Sequence, residues 1–306
     1  MNPPELSVVI PTLNRGRLLH DTVRQVLAQR FTDLELILID QSDPAGREEN
    51  EAFVAHLRDP RVVYVHLARK GLPNARNEGL ARVRGRVVLF LDDDVILLDD
   101  DFLDVHVGAY VAFPDVGAVT GRVVERSVRP NATRTSAHIS PGGRTITNLW
   151  GTERTFLASC KGANMSYRME AVRQVGGFDR RYTGTALLED TDYGYRVGAR
   201  GWRVLYEPRA EIVHLSAPTG GVRVEDAVRA ECARFRSTAY FVGKFRGARG
   251  IPAFALTFGA IALARAVRWR DPSAPGALVR AAREGLAAWR EGPDEAIPTL
   301  RPSDRA

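Results

Sequence analysis

Val87-Val88-Leu89-Phe90-Leu91-Asp92-Asp93-Asp94 is an apolar run that ends at three consecutive carboxylates. A run of this kind is typical of a strand buried on both faces, and the acids then lie where the strand leaves its sheet. Adjacent carboxylates repel one another where water screens them poorly, so a cation would stabilise them. Mg²⁺ or Mn²⁺ would be coordinated by their oxygen atoms and would keep coordination positions open for the phosphates of a nucleotide. The alternative is an acidic turn that leads into a helix begun by residues 99–101.

Strand and helix patterns alternate on the N-terminal side of this run. Short β-rich runs at residues 6–10, 34–39, 61–67 and 86–91 alternate with helical patterns at 16–29, 48–57 and 71–83. The alternation predicts an α/β fold with a mainly parallel central sheet flanked by helices. Ligands bind such sheets beyond the carboxyl ends of the strands. The segments that follow those ends, at residues 11–15, 40–43, 68–77 and 92–94, are therefore expected to bring their polar groups to one edge.

Two side chains at that edge have both a functional and an ordinary interpretation. Asp40 would accept hydrogen bonds from a base or ribose, or would be a turn aspartate. Arg76 would form a bidentate contact with phosphate, or would lie on a solvated helix face. The chain has no G-x-G-x-x-G after the first strand and no P-loop. We therefore expect metal and arginine to hold a diphosphate.

The middle of the chain is rich in polar residues. A strand is predicted at residues 116–120, and residues 122–155 suggest a long loop with short strands over the sheet edge. Trp150 would be a platform for a sugar or a plug over the core. Residues 159–166 suggest a strand or turn, with Gly162 where backbone can approach a ligand closely.

A helix predicted to begin at residues 187–192 carries its acids in the first turn, where the helix dipole stabilises them. They would be helix caps, or one of them would accept a proton from an incoming hydroxyl. Glu189 and Asp190 point in different directions on a helix, so only one would face a site. Short strands are predicted at residues 203–206 and 211–213, followed by His214.

The composition is that of a globular protein. The 306 residues are 44% hydrophobic and 26% charged, with a formal net charge of +6. Cys160 and Cys232 are too few for a disulfide framework, and residues 1–10 show no signal-peptide pattern. We expect a cytoplasmic protein with no nucleic-acid partner.

The C-terminal region is basic and helical in pattern. Between Arg229 and Arg270 there are nine Lys or Arg residues and one acid, Glu231. The uncharged stretch 251–264 is too short to span a bilayer. Helices are predicted at residues 222–245, 251–270 and 274–290. They would pack on the rest of the chain, or residues 222–270 would make peripheral contact with the cytoplasmic face of a membrane.

Several motifs together resemble the family 2 glycosyltransferases, which have the GT-A (Rossmann-like) fold. The resemblance covers about residues 5–215 and rests on motifs that agree in order and spacing. They are SVVIPTLNR at 7–15, Asp40, GLPNARNEG at 71–79, FLDDD at 90–94, GGFD at 176–179 and Glu189-Asp190. The resemblance implies a catalytic domain at 1–221, with a nucleotide-binding half at 1–121 and an acceptor-binding half at 122–221. Residues 222–306 would be a helical extension.

The resemblance also implies roles for individual residues. Asp190 would be the general base, and Asp94 and His214 would bind the metal. The donor sugar and acceptor would lie near Trp150, Gly162, Ala163, Asn164 and Glu189. The nucleotide side would comprise Pro11, Thr12, Asn14, Arg15, Asp40, Arg76, Asp92 and Asp93, of which Asp93 would have the most structural role.

We therefore expect an inverting glycosyltransferase that uses Mg²⁺ or Mn²⁺ and a nucleotide-diphosphate sugar. Its acceptor would be a carbohydrate or a lipid-linked molecule of cell-envelope polysaccharide or glycolipid synthesis. One rival is a sugar-nucleotide nucleotidyltransferase, which the missing glycine-rich phosphate loop disfavours. The other is a nucleotide-sugar or carbohydrate-binding protein without turnover, which the complete set of acids disfavours.

Overall fold

The computed structural model describes residues 3–125, 135–217, 219–221 and 226–299. The strands within these ranges are β1 (Leu6–Thr12), β2 (Leu34–Asp40), β3 (Val62–His66), β4 (Val87–Leu91), β5 (Val95–Leu97), β6 (Val116–Glu125), β7 (Ser136–Ile139), β8 (Thr145–Asn148), β9 (Thr155–Leu157), β10 (Asn164–Arg168) and β11 (Arg203–His214). The helices are α1 (Arg17–Leu27), α2 (Pro44–Leu57), α3 (Leu72–Leu80), α4 (Phe102–Ala112), α5 (Met169–Val175), α6 (Glu189–Ala199), α7 (Ala227–Arg246), α8 (Ile251–Trp269) and α9 (Ala274–Glu291).

A nine-stranded sheet forms the centre, in the order β3-β2-β1-β4-β10-β6-β11-β5, with β9 paired to β11. The pairs β1–β2, β1–β4, β2–β3 and β6–β11 are parallel. Strand β10 runs antiparallel between β4 and β6, and β5 and β9 run antiparallel to β11. Six of these nine strands thus share one direction. The predicted α/β fold with a mainly parallel sheet is confirmed.

Helices cover both faces of the sheet. Along β1, Val8 and Ile10 pack on one face, where α1, α2 and α4 contribute side chains such as Val23 and Phe53. Val9 points to the other face, with residues of α3, α5 and α6. This period of two explains why β1, β2 and β4 are mainly apolar at consecutive positions, since these three strands are buried on both faces.

Several predicted boundaries were wrong. Strand β6 continues to Glu125, past the predicted end at 120, and β11 is one strand rather than two, with an irregular register between Glu207 and Glu211. The three-residue strand β5 was not predicted, because it is too short to show a period. Strands β7 and β8 form a hairpin within the predicted long loop. Residues 126–134 of that loop lie outside the described residues.

The predicted C-terminal helices are present as α7, α8 and α9, which pack on one another through Phe235, Ala239, Phe258 and Leu278. They also attach to the sheet-bearing part. The Nζ atom of Lys244 on α7 lies 2.7 Å from Asp179 and 2.6 Å from Asp192, both of which are fully buried. The predicted domain boundary at 221/222 stays a prediction.

Candidate active site

The three acids after β4 differ in exposure. All five residues of β4 are buried, so the acids emerge where the strand ends. The side chain of Asp92 is 30% exposed, while those of Asp93 and Asp94 are 8% and 1% exposed. Asp92 is therefore the acid most open to solvent.

The side chain of His214 lies beside two of these acids, Asp92 and Asp94. It is the last residue of β11 and pairs with Val95 of β5, immediately after Asp94. Its Nε2 atom lies 3.2 Å from Asp94 Oδ1 and 3.7 Å from Asp92 Oδ2. Burial alone would lower the pKa of His214, but its hydrogen bond with Asp94 and the charge of Asp92 raise that pKa above its ordinary value. The register of two strands thus brings these three side chains together from distant parts of the sequence.

Asp93 faces the interior. Burial raises its pKa to about 7, although Arg15 and Thr12 oppose the shift. Thr12 Oγ1 donates a hydrogen bond of 2.7 Å to its carboxylate, and Arg15 Nε lies 3.2 Å away. Arg15 also donates to the carbonyl oxygens of Ala217 and Thr219. Arg15 therefore partly neutralises the inner acids and joins the loop after β1 to the segment after β11.

A cavity of about 150 Å³ lies at this sheet edge. Its lining includes Pro11, Thr12, Gln41 and Leu72, together with the three acids and His214. These residues come from the carboxyl ends of β1, β2, β4 and β11 and from the start of α3. The sheet edge that the strand order predicted is thus a cleft.

Asp40 lies beneath this cleft with no exposed surface. One carboxylate oxygen accepts from the backbone N–H of Ser42 at 2.7 Å. The other accepts from Asn50 Nδ2 at 2.9 Å and from the hydroxyl of Tyr64 at 2.7 Å. Sequence reasoning missed Asn50 and Tyr64 as its partners; Tyr64, the one aromatic in an otherwise aliphatic β3 core, was an available signal.

Asn14 connects two loops of the nucleotide side. It has a φ of 54° and is exposed. Its side chain donates to Asp43 at 2.9 Å and accepts from the Asp43 N–H at 2.9 Å, and its own N–H donates to Ser42 Oγ at 2.8 Å. The loops after β1 and β2 are thereby held together.

Arg76 of α3 is a buried cation at the centre of the site. One of its terminal nitrogens pairs with Glu189 Oε1, and the other donates to the carbonyl of Gly162 at 3.1 Å and lies 3.9 Å from Asp92 Oδ1. Burial lowers the pKa of Arg76, while Asp92 and Asp190 oppose that shift. Arg76 thus links Asp92 to Glu189 in the first turn of α6.

Asp190 is held against the loop before β10. Its Oδ2 atom accepts from the N–H of Gly162 at 2.8 Å, and its Oδ1 accepts from the N–H of Thr191 at 2.6 Å. A Cβ on Gly162 would lie 2.8 Å from Arg76 Nη2 and 3.2 Å from Asp190 Oδ2. Glu189 points inward to Arg76, so the two neighbouring acids do face different ways, and Asp190 is the one that is partly exposed.

The remaining predicted residues lie in different surroundings. Ala163 is buried in the core cluster of α1, α2 and α4. The buried side chain of Asn164 bonds the carbonyl of Ala210 and the ring of His106 at 2.8 Å and 2.9 Å. Trp150 follows β8, and its backbone N–H donates to Asn148 Oδ1 at 3.3 Å. Its role stays a prediction.

The residues at the sheet edge fit a divalent metal. Asp92, Asp94 and His214 each offer one ligand atom, and these atoms lie within 4.8 Å of one another. Carboxylate oxygens are the ligands that Mg²⁺ and Mn²⁺ prefer. A second acidic group, Asp179 with Asp192 and Glu295, meets the same spacing, but Lys244 Nζ lies 2.6–2.7 Å from all three. That second group is an ion-pair cluster.

Comparison with known proteins gives relatives of one kind. Residues 3–234 match the family described as glycosyltransferase like family 2. The chain is 29% identical over 225 residues to the O-antigen biosynthesis protein RfbC of Myxococcus xanthus, covering 69% of this chain and 17% of that protein. It is 38% identical over 99 residues to the GalNAc(5)-diNAcBac-PP-undecaprenol beta-1,3-glucosyltransferase of Campylobacter jejuni, covering 31% of each. The matches thus span under a third of these curated relatives.

Among solved structures, the chain resembles the mannosyltransferase PcManGT of Pyrobaculum calidifontis, determined in complex with GDP-Man and Mn²⁺. The TM-score is 0.56 at 17% identity, over 93% of this chain and 88% of that one. At this identity the likeness shows the GT-A fold alone. With the family match over most of its length, the chain belongs to the family 2 glycosyltransferases.

Proposed function

We propose that this protein transfers a sugar from a nucleotide-diphosphate sugar to an acceptor hydroxyl, with inversion at the anomeric carbon. The observation that carries the proposal is the convergence of Asp92, Asp94 and His214 on one cleft, with Asp190 joined to them through Arg76 and Gly162. The fold and family membership support the same reaction class.

Asp94 and His214 would hold Mg²⁺ or Mn²⁺, with Asp92 beside them toward the nucleotide. The metal, when bound, stabilises negative charge on the leaving diphosphate. The residues that line the cleft, Pro11, Thr12 and Gln41, would contact the nucleoside. The loops that Asn14 connects would set the shape of that pocket, above the buried Asp40.

Asp190 would act as the general base. The acceptor oxygen attacks the anomeric carbon as the bond from that carbon to the phosphate oxygen breaks, and the acceptor proton passes to Asp190. The nucleoside diphosphate leaves with the bonding electrons. Hydrogen bonds from the N–H groups of Gly162 and Thr191 hold the carboxylate in place. No covalent nucleophile is required for a single displacement.

Arg76 would position the site rather than receive the phosphate directly. It is 1% exposed and already bonded to Glu189 and Gly162. Its charge compensates Asp92 and Glu189 and holds the loop that bears Gly162, Ala163 and Asn164.

The acceptor we propose is a lipid-linked saccharide or growing glycan of the cell envelope. The support is the description of the Campylobacter relative as acting on an undecaprenol-linked glycan, and of the Myxococcus relative as an O-antigen protein. Such an acceptor would place the protein at the cytoplasmic face of the membrane.

The test is turnover by Asp190→Asn, with donor binding measured in parallel. The amide cannot accept the proton, so we expect a rate loss of about 10²–10⁴-fold with donor affinity unchanged. Proton NMR of the wild-type product should show the anomeric configuration opposite to that of the donor. Unchanged turnover in the variant would assign the base elsewhere, and a retained configuration would refute direct displacement.

A further inference from the structure

The helix α8 has one packed face and one bare face. Phe254, Phe258 and Ala262 pack on α7 and α9. The hairpin turn between β7 and β8 lies against the same helix, because a Cβ on Gly142 would meet the side chain of Thr257. Protein atoms therefore cover this side of α8 along most of its length.

The opposite face is apolar and exposed. Leu256, Leu263 and Val267 are 78%, 66% and 80% exposed. They recur at seven and four residues and so share one side of the helix. The small residues between them on that side are also exposed, and no charged residue occurs from 250 to 264. A helix face in contact with water alone would normally carry charge.

Unpaired cations lie at both ends of this face. Arg249 precedes α8, and Arg268 and Arg270 end it; all three are exposed, and none forms an ion pair within the described ranges. The cations of α7 are used differently. Lys244 pairs with buried acids, and Arg246 donates to backbone carbonyls of the β7–β8 hairpin. Exposed cations thus lie at both ends of α8, and Arg229 on α7 with Arg280, Arg283 and Arg290 on α9 are exposed as well.

The packing of α8 disfavours a crossing of the bilayer by this helix alone. The continuous helical stretch Ala227–Trp269 contains a window with mean hydropathy 1.6, of which 22% is buried. The 19 residues of α8 would span about 28 Å, close to the thickness of a hydrocarbon core. However, lipid cannot surround α8, because α7 and α9 occupy one of its sides.

A second copy of the chain would also fit the exposed face of α8 poorly. In a two-fold contact the same patch meets itself, so arginines at the two ends of α8 would be brought against one another. An anionic lipid surface instead offers hydrocarbon to the leucines and phosphate to the arginines.

We propose that the bare face of α8 docks on an anionic membrane surface, with Leu256, Leu263 and Val267 at the level of the acyl chains and Arg249, Arg268 and Arg270 at the lipid phosphates. The helix would lie in the membrane plane. Acceptors carried on lipid would then diffuse to the protein in two dimensions, a consequence that rests on the proposed function.

The test is co-sedimentation of the full chain with phosphatidylcholine vesicles, with and without phosphatidylglycerol. We expect wild-type protein to sediment with the anionic vesicles and to be released by salt. The double variant Leu256→Gln, Leu263→Gln should partition at least about tenfold less. The double variant Arg268→Gln, Arg270→Gln should lose affinity for anionic vesicles by several-fold per residue.

Matched controls test whether a loss of vesicle binding is specific to the exposed face of α8. The alternative is that it follows from removing any exposed apolar or charged side chain. Val111→Gln removes an apolar side chain that is 79% exposed on α4, and Arg17→Gln with Arg86→Gln removes two exposed cations elsewhere. Both controls should sediment like wild type. Equal sedimentation of all variants, or none by wild type, would overturn the proposal. The proposal would also be overturned if ultracentrifugation showed a wild-type dimer that the double variant Leu256→Gln, Leu263→Gln dissociates. Neither donor nor acceptor is present, so failure here leaves the transfer reaction untouched.

Discussion

Contacts around Asp94 and His214 keep a buried carboxylate ionised, as a metal ligand must be. Asp94 is 1% exposed, and burial would raise its pKa, yet its contacts with His214, the N–H of Ala217 and Arg15 bring that pKa below the ordinary value. The carboxylate is therefore ionised at neutral pH. The pKa of His214 is raised despite its burial, because its hydrogen bond with Asp94 and the charges of Asp92 and Asp94 favour the protonated ring.

This coupling predicts a pH dependence of metal binding. A proton and a metal compete for the His214 ring, whose pKa lies above the usual 6.5. Mn²⁺ affinity should therefore fall as the pH is lowered through that raised pKa, by up to about tenfold per pH unit. Titration of Mn²⁺ followed by electron paramagnetic resonance measures it. His214→Gln should flatten this step while the exposed His56→Gln keeps it; the same pH slope in both variants would remove His214 from the metal site.

The Arg76–Glu189 pair predicts a large cost for losing either partner. Their side chains are 1% and 4% exposed, so either single change leaves a buried charge without its partner. We expect Glu189→Gln and Arg76→Met each to lower the free energy of unfolding by about 3–5 kcal/mol. Urea unfolding provides the measurement. In the exposed pair of Arg47 and Glu51, Arg47→Met should leave the free energy of unfolding close to that of wild type. Similar losses at both pairs would mean that Arg76 is not held as described.

At the scale of elements, α6 connects the site to the C-terminal helices. Its first turn carries Asp190 toward the loop before β10, and two residues later Asp192 points into the ion-pair cluster with Lys244 of α7. Glu295, beyond α9, completes the cluster, and its backbone carbonyl accepts from Gly177. The GGFD turn, α6 and the chain after α9 are thus bound to one lysine.

Replacing that lysine should destabilise the protein in a pH-dependent way. Lys244 is the main reason that the pKa of Asp179 is lowered despite burial. A depressed pKa contributes stability above the unfolded value, and this stability is lost as pH falls through the folded one. Lys244→Met should therefore cost about 3 kcal/mol at neutral pH, because two buried carboxylates lose a partner. The cost should be smaller once the pH falls below the ordinary aspartate pKa of 3.8, where the contribution of Asp179 is lost.

Urea unfolding at the two pH values measures the effect of Lys244→Met. Lys70→Met serves as the control, since Lys70 pairs with Asp43 at an exposed position. A cost that does not change with pH would indicate that packing, not charge, accounts for the loss.

For the molecule as a whole, sequence patterns predicted the parts that depend on local order. The alternation of strands with helices placed four polar segments at one sheet edge, and the cleft is there. No sequence pattern predicted that β10 would lie antiparallel between β4 and β6. The pairing of strands that are distant in sequence depends on tertiary packing. The Arg76–Glu189 contact joins residues 113 positions apart. Asp94 and His214 were associated by family resemblance, and only the register of β11 with β5 explains their contact.

The measurement that tests the central claim most directly is calorimetric titration of nucleotide-sugar donors in the presence and absence of Mn²⁺. A panel of UDP-, GDP-, dTDP- and CDP-sugars would be compared across wild type, Asp94→Asn and Asp190→Asn. We predict that one donor binds wild type only with metal, that Asp94→Asn loses this dependence together with most affinity, and that Asp190→Asn binds like wild type. Equal donor affinity with and without metal in wild type would contradict a metal-dependent site at Asp94 and His214.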